Sequence, residues 1–152
     1  MAQGRRVIDL GLFYERELER VHVDGLRESW FWSYDPAQAR IEAESVRAIQ
    51  ERYQNAENMK GATQTVEDYR ARALGIKEER ADLVKHHLWV LWTDYFKAPH
   101  FEKYPQLNGL FNEATKLAGA GGTKGSLDVA VADNLIAKID EIAEIFWETK
   151  KA

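Results

Sequence analysis

A chain of 152 residues with 45% hydrophobic and 30% charged side chains suits one folded domain and is too apolar for a disordered segment. Its formal net charge is −4 and each half carries two more acidic than basic side chains, so no basic arm or tail marks it as a nucleic-acid binder, whose affinity rests largely on neutralising phosphates. The sequence has no cysteine, which excludes disulfides, thiolate nucleophiles and cysteine-ligated zinc or iron–sulfur sites.

Helix signals run through the chain, and alternating strand patterns are nearly absent. From about Val7 to Tyr34, Leu10, Phe13, Leu18, Val21, Leu26 and Trp30 recur at near-helical spacing, with a kink or break at Gly25. The start of the chain turns charged too early for a signal peptide. No apolar run approaches the ~18 residues of a membrane span, so no membrane contact and a cytoplasmic location are expected. Asp35-Pro36 opens a second helix, with Ile41, Val46, Ile49, Tyr53 and Ala56 on its inner side and a stop at Gly61. A short third helix is expected over Thr65–Leu74, closed by Gly75. The fourth, Lys77–Phe96, is the most apolar. Its centre, Leu88-Trp89-Val90-Leu91-Trp92, reads as buried on all sides, which makes it the central helix.

Residues 97–105, with two of the three prolines, predict a bent connection, and Pro105 opens a fifth helix ending near Ala118. The run 119–125 (GAGGTKG) reads as a flexible loop. It lacks the spacing of a phosphate-binding loop, and no strand precedes it. Ser126 caps the last helix, 126–149, with Asp128 in its first turn. Ala132, Leu135, Ile139, Ile142 and Phe146 follow a coiled-coil-like rhythm there, and Ile136, Ala143 and Trp147 add a second apolar flank. The fold expected is all-α: a single domain, 1–152, built as a bundle of five or six helices with mainly antiparallel neighbours and a buried central helix near 77–96.

Three constellations carry candidate chemistry. Glu15, Glu19 and His22 place two carboxylates and an imidazole on successive turns of one face, the E-x-x-H spacing of di-iron carboxylate bundles, here with one copy that a dimer could double. A solvated acidic face is the plainer reading of the same residues. Glu79, Asp82, His86 and His87 form a possible metal half-site or acid–base pair, against a capped, satisfied histidine at the entrance to a buried helix. Arg80 and His86 have the Arg-x5-His spacing that resembles HEPN-type ribonucleases, all-helical bundles in which the Arg is often followed by a polar residue. Here that residue is Ala81. The resemblance implies RNA cleavage with Arg80 and His86 in the site.

The aromatic residues divide between core, interface and ligand pocket. Trp30, Phe31 and Trp32 are consecutive and cannot share one helix face, so at least one is expected to meet a partner. With Ile136 and Trp147 they form the expected interface. With no complete catalytic set in view, the function expected is a non-catalytic binding or assembly subunit of a homo-oligomer or larger complex, with no cofactor and with a protein partner or self-association; whether a small molecule binds is left open. A metal-dependent bundle enzyme with its site shared across a dimer, a HEPN-like ribonuclease and a nucleic-acid-contacting accessory subunit are the alternatives.

Overall fold

The computed structural model describes residues 34–58 and 65–151. The expected first helix and the Gly61 stop lie outside them. Among the described residues there are five helices and no strand: α1 (Ala37–Gln54), α2 (Val66–Val90), α3 (Ala98–Lys103), α4 (Leu107–Leu117) and α5 (Val129–Lys151). The all-α reading therefore holds.

Four of these helices close a ring, with α2 against α1 and α4, and α5 against α1 and α4. The side-chain bridges give their directions. Arg40 pairs with Asp140 at 2.8 Å and Arg47 with Asp133 at 2.5 Å, so α1 rises as α5 falls. Arg80 meets Glu42 at 2.9 Å and Arg70 meets Glu57 at 3.5 Å, so α1 and α2 are antiparallel. Lys138 meets Glu113 at 3.3 Å and the Tyr104 hydroxyl donates to Glu148 at 2.8 Å, which sets α4 against α5. Apart from Arg80–Glu42, whose carboxylate is largely covered, these solvent-accessible pairs fix register more than they stabilise.

The core is built from one stripe per helix. On α5, Ala132, Leu135, Ile139, Ile142 and Phe146 are all fully buried, as the heptad rhythm predicts. On α4 the stripe is Leu107, Leu110, Phe111 and Ala114. Each such Leu, Ile or Phe contributes about 1.5–3 kcal/mol on burial. At one end Tyr95, Phe96, Phe111 and Phe146 interlock, with ring centroids 4.4 Å apart for Tyr95–Phe146 and 5.6 Å for Phe96–Phe111, separations that suit tilted and edge-on aromatic pairs.

Several expectations are corrected. The inner stripe of α1 is Ala39, Ala43, Val46 and Gln50. Ile41 is 58% exposed, because the small residues let α1 approach its neighbours along a different face. Gly75 does not end a helix but lies inside α2. A glycine there costs about 1 kcal/mol relative to alanine, a cost offset by the packing of Ala73 and Ala81 on either side. The segment 88–92 is buried on one side only: Leu88 and Leu91 are covered, and Trp89 is 45% exposed. After Val90 the helix widens into a π turn over Leu91–Tyr95, closed by the Phe96 N–H donating to the Leu91 carbonyl at 3.0 Å. Residues 98–103 of the expected connection form the short helix α3.

Candidate functional site

Two polar residues sit inside apolar stripes, and both reach one loop. Lys77 occupies the α2 stripe between Ala73 and Ala81 and is 1% exposed. Its Nζ donates to the carbonyls of Thr123, Lys124 and Ser126 at 2.8, 2.8 and 2.9 Å. Gln50, in the α1 stripe, donates to the same Ser126 carbonyl at 3.0 Å, and Gln54 donates to the Leu127 carbonyl at 2.7 Å. Burial pushes the Lys77 ammonium below the ordinary lysine range, partly opposed by Glu78. Three carbonyl acceptors match the three N–H donors of the charged form, and a neutral amine could satisfy only two. The cluster therefore clamps residues 123–127 to the bundle.

The glycine-rich segment is folded tightly under this clamp. The Thr123 N–H donates to the Leu117 carbonyl at 2.7 Å, and the Lys124 N–H to that of Gly119 at 3.2 Å. A Cβ at Gly122 would stand 2.0 Å from the Leu117 oxygen, so only glycine lets the chain pass there. Beyond the loop, the Ser126 hydroxyl accepts from the Asp128 N–H and the Asp128 carboxylate accepts from the Ala130 N–H. Together they start α5. Beside the loop a cleft of about 650 Å³ is lined by Lys85, Thr115, Lys116, Gly121, Asn134 and Lys138, among others. Lys138 is balanced by Glu113 and Glu141. Lys85 lies 5.9 Å from the ring centre of the exposed Trp89.

The residues singled out for chemistry are not assembled into a joint site. Arg80 is held by Glu42 of α1, and Asp82 by Lys124 of the loop at 2.7 Å. His86 is exposed on α2. His87 is half-buried, with its ring edge-on to His86 at 5.7 Å, and burial with the neighbouring His86 pushes it below the ordinary imidazole range. The His100 Nδ1 accepts from the Lys97 N–H at 3.1 Å. Among the described residues no three His, Cys, Asp or Glu side chains converge on a point that could hold a metal ion. Glu15, Glu19, His22, Trp30, Phe31 and Trp32 lie outside the described residues. Ile136 is half-buried, and Trp147 is 48% exposed beside Phe146. No helix among the described residues is long and apolar enough to cross a membrane.

An antiparallel four-helix ring with one short connecting helix defines a class of protein but not a chemistry. Comparison with known proteins supplies the family. Residues 33–150 match the model of nickel-containing superoxide dismutase. The nickel superoxide dismutase of Streptomyces seoulensis is 53% identical over 119 residues, covering 78% of this chain and 83% of that protein. The enzyme from Streptomyces coelicolor is 51% identical over the same length. Among solved structures, an apo nickel superoxide dismutase matches at 53% identity with a TM-score of 0.66, covering 78% of this chain and 98% of its own. One with nickel ligation corresponding to the oxidized state matches at 54% identity with the same TM-score of 0.66, covering 78% of this chain and 93% of its own. The chain belongs to the nickel-containing superoxide dismutase family.

This overturns the expectation of a non-catalytic assembly or complex subunit, because the family is one of metal enzymes. It also removes the ribonuclease and nucleic-acid accessory readings. The Arg80–His86 spacing that suggested the former reflects two residues on one helix, of which Arg80 is committed to Glu42. The metal named by the family is nickel rather than a pair of irons.

Proposed function

We propose that the chain acts in superoxide disproportionation at a bound metal. One superoxide anion gives up an electron and leaves as dioxygen. A second takes that electron with two protons and leaves as hydrogen peroxide. The observation that carries this reading is the 53% identity to a nickel superoxide dismutase across 119 residues, far above what a shared bundle fold alone requires.

The described residues do not fit a redox nickel centre. They hold no converging donor set, and the whole sequence offers no thiolate. Their part in the proposed function is structural: they form the bundle and clamp its glycine loop. The metal donors are assigned instead to Glu15, Glu19 and His22, whose i, i+4 and i+7 positions suit one helix face. Self-association goes with this reading, supported by the exposed Trp147 and Ile41. A cytoplasmic setting remains the expectation, checked by cell fractionation.

The test is superoxide decay followed by stopped flow, with purified protein of measured metal content. Metal-loaded protein is expected to speed decay over the metal-free form, and His22→Ala and Glu19→Gln to lose both the metal and the acceleration. Decay unchanged by every loaded form would end the proposal.

A further inference from the structure

We infer that this chain forms no redox-active, thiolate-bound nickel centre, and that any nickel it holds stays divalent on nitrogen and oxygen donors. The inference deepens the proposed function by naming the class of metal, and to that extent rests on it.

The donor inventory carries the argument. The sequence has no cysteine and two methionines, Met1 and Met59, so its sulfur is confined to neutral thioethers. Of its four histidines, His86 and His87 are consecutive on α2 and point about 100° apart. Their rings meet edge-on at 5.7 Å, and among the described residues neither belongs to a group of three donor side chains that could hold an ion. His100 has its Nδ1 occupied by the Lys97 N–H and its ring stacked on Tyr95 at 5.9 Å. That leaves His22, which the sequence sets three and seven residues after Glu19 and Glu15, an imidazole–carboxylate set.

Coordination chemistry then discriminates between metals. Imidazole and carboxylate bind divalent nickel well, but they donate too little charge to bring its trivalent state within reach of superoxide. Anionic sulfur is the side-chain donor that does so, and the sequence has none. Manganese and iron cycle between oxidation states on nitrogen and oxygen ligands, and the carboxylate-rich set suits them. The fold does not contradict this. The bundle matches an apo relative and a nickel-ligated relative with the same TM-score, 0.66, so its preservation carries no information about nickel.

The experiment loads separate samples of the metal-free full chain with nickel, manganese or iron. It measures metal stoichiometry, electron paramagnetic resonance after chemical oxidation, and superoxide decay. Nickel-loaded protein is expected to show no trivalent-nickel resonance and no acceleration over metal-free protein, with manganese or iron giving acceleration. A trivalent-nickel signal together with catalytic decay in the nickel sample would overturn the inference. If no metal accelerates decay and nickel remains divalent, the nickel inference stands and the dismutase proposal falls.

Discussion

Replacing Lys77 with methionine removes three N–H donors from a buried site while keeping an unbranched chain of similar length. The Thr123 carbonyl is fully buried, so it loses its donor without access to water, at about 1–3 kcal/mol. The Lys124 and Ser126 carbonyls are part-buried and regain some hydration. Ser126 also keeps the Gln50 donor. Relief of the buried charge offsets part of the loss. The expected net cost is roughly 2–4 kcal/mol, or about 8–15 °C in Tm for a domain of this size. Circular dichroism melting gives the total, and amide hydrogen exchange locates it. Protection should fall first in 119–127 and only later in α5. A Tm within about 2 °C of the parent, or exchange that rises evenly over the bundle, would refute the clamp.

Gly122→Ala should destabilise by roughly 3 kcal/mol, because the added methyl would lie 2.0 Å from the Leu117 carbonyl oxygen; chemical denaturation measures it. Gly75→Ala should do the reverse, raising stability by about 0.5–1 kcal/mol, since a Cβ there meets nothing within 4 Å. Thr123→Val should be neutral or stabilising by up to about 1 kcal/mol, because the Thr123 hydroxyl is buried without a partner; a large loss in the melting curve would show that it has one. Burial holds the His87 and His100 imidazoles below their ordinary range. The unfolded chain therefore binds more protons just below pH ~6.5. Stability should fall as pH drops from there and level off once the folded-state imidazoles are protonated, and replacing either histidine by glutamine should shrink that fall in a pH series of denaturant melts.

Much of the architecture was legible because α4 and α5 each present one apolar stripe at helical spacing. The α5 rhythm of Ala132, Leu135, Ile139, Ile142 and Phe146 names its buried face outright. α1 was less legible. Two of its four contact residues are alanines and a third is a glutamine, which carry little hydrophobic signal, so the larger Ile41 drew attention to the wrong side. Gly75 misled for a similar reason: local propensity weighs against a helical glycine, and tertiary packing outweighs it. The clamp had a readable trace, a lysine and a glutamine at stripe positions, but partners 46–76 residues away in sequence leave no local pattern. The family was not legible from motifs, since its mark is identity spread along the whole bundle rather than a short constellation.

The π turn at Leu91–Tyr95 has a consequence for how the bundle tolerates change. One residue beyond a regular helix advances everything after it by about 100°, and here that rotation seats Tyr95 and Phe96 among Phe111 and Phe146. The stretch acts as a phase corrector between a long helix tuned to α1 and an aromatic end tuned to α4 and α5. Shortening it by a residue would leave both halves intact yet out of step, so substitutions at its exposed positions, Thr93 and Asp94, should be tolerated where single-residue deletions are not.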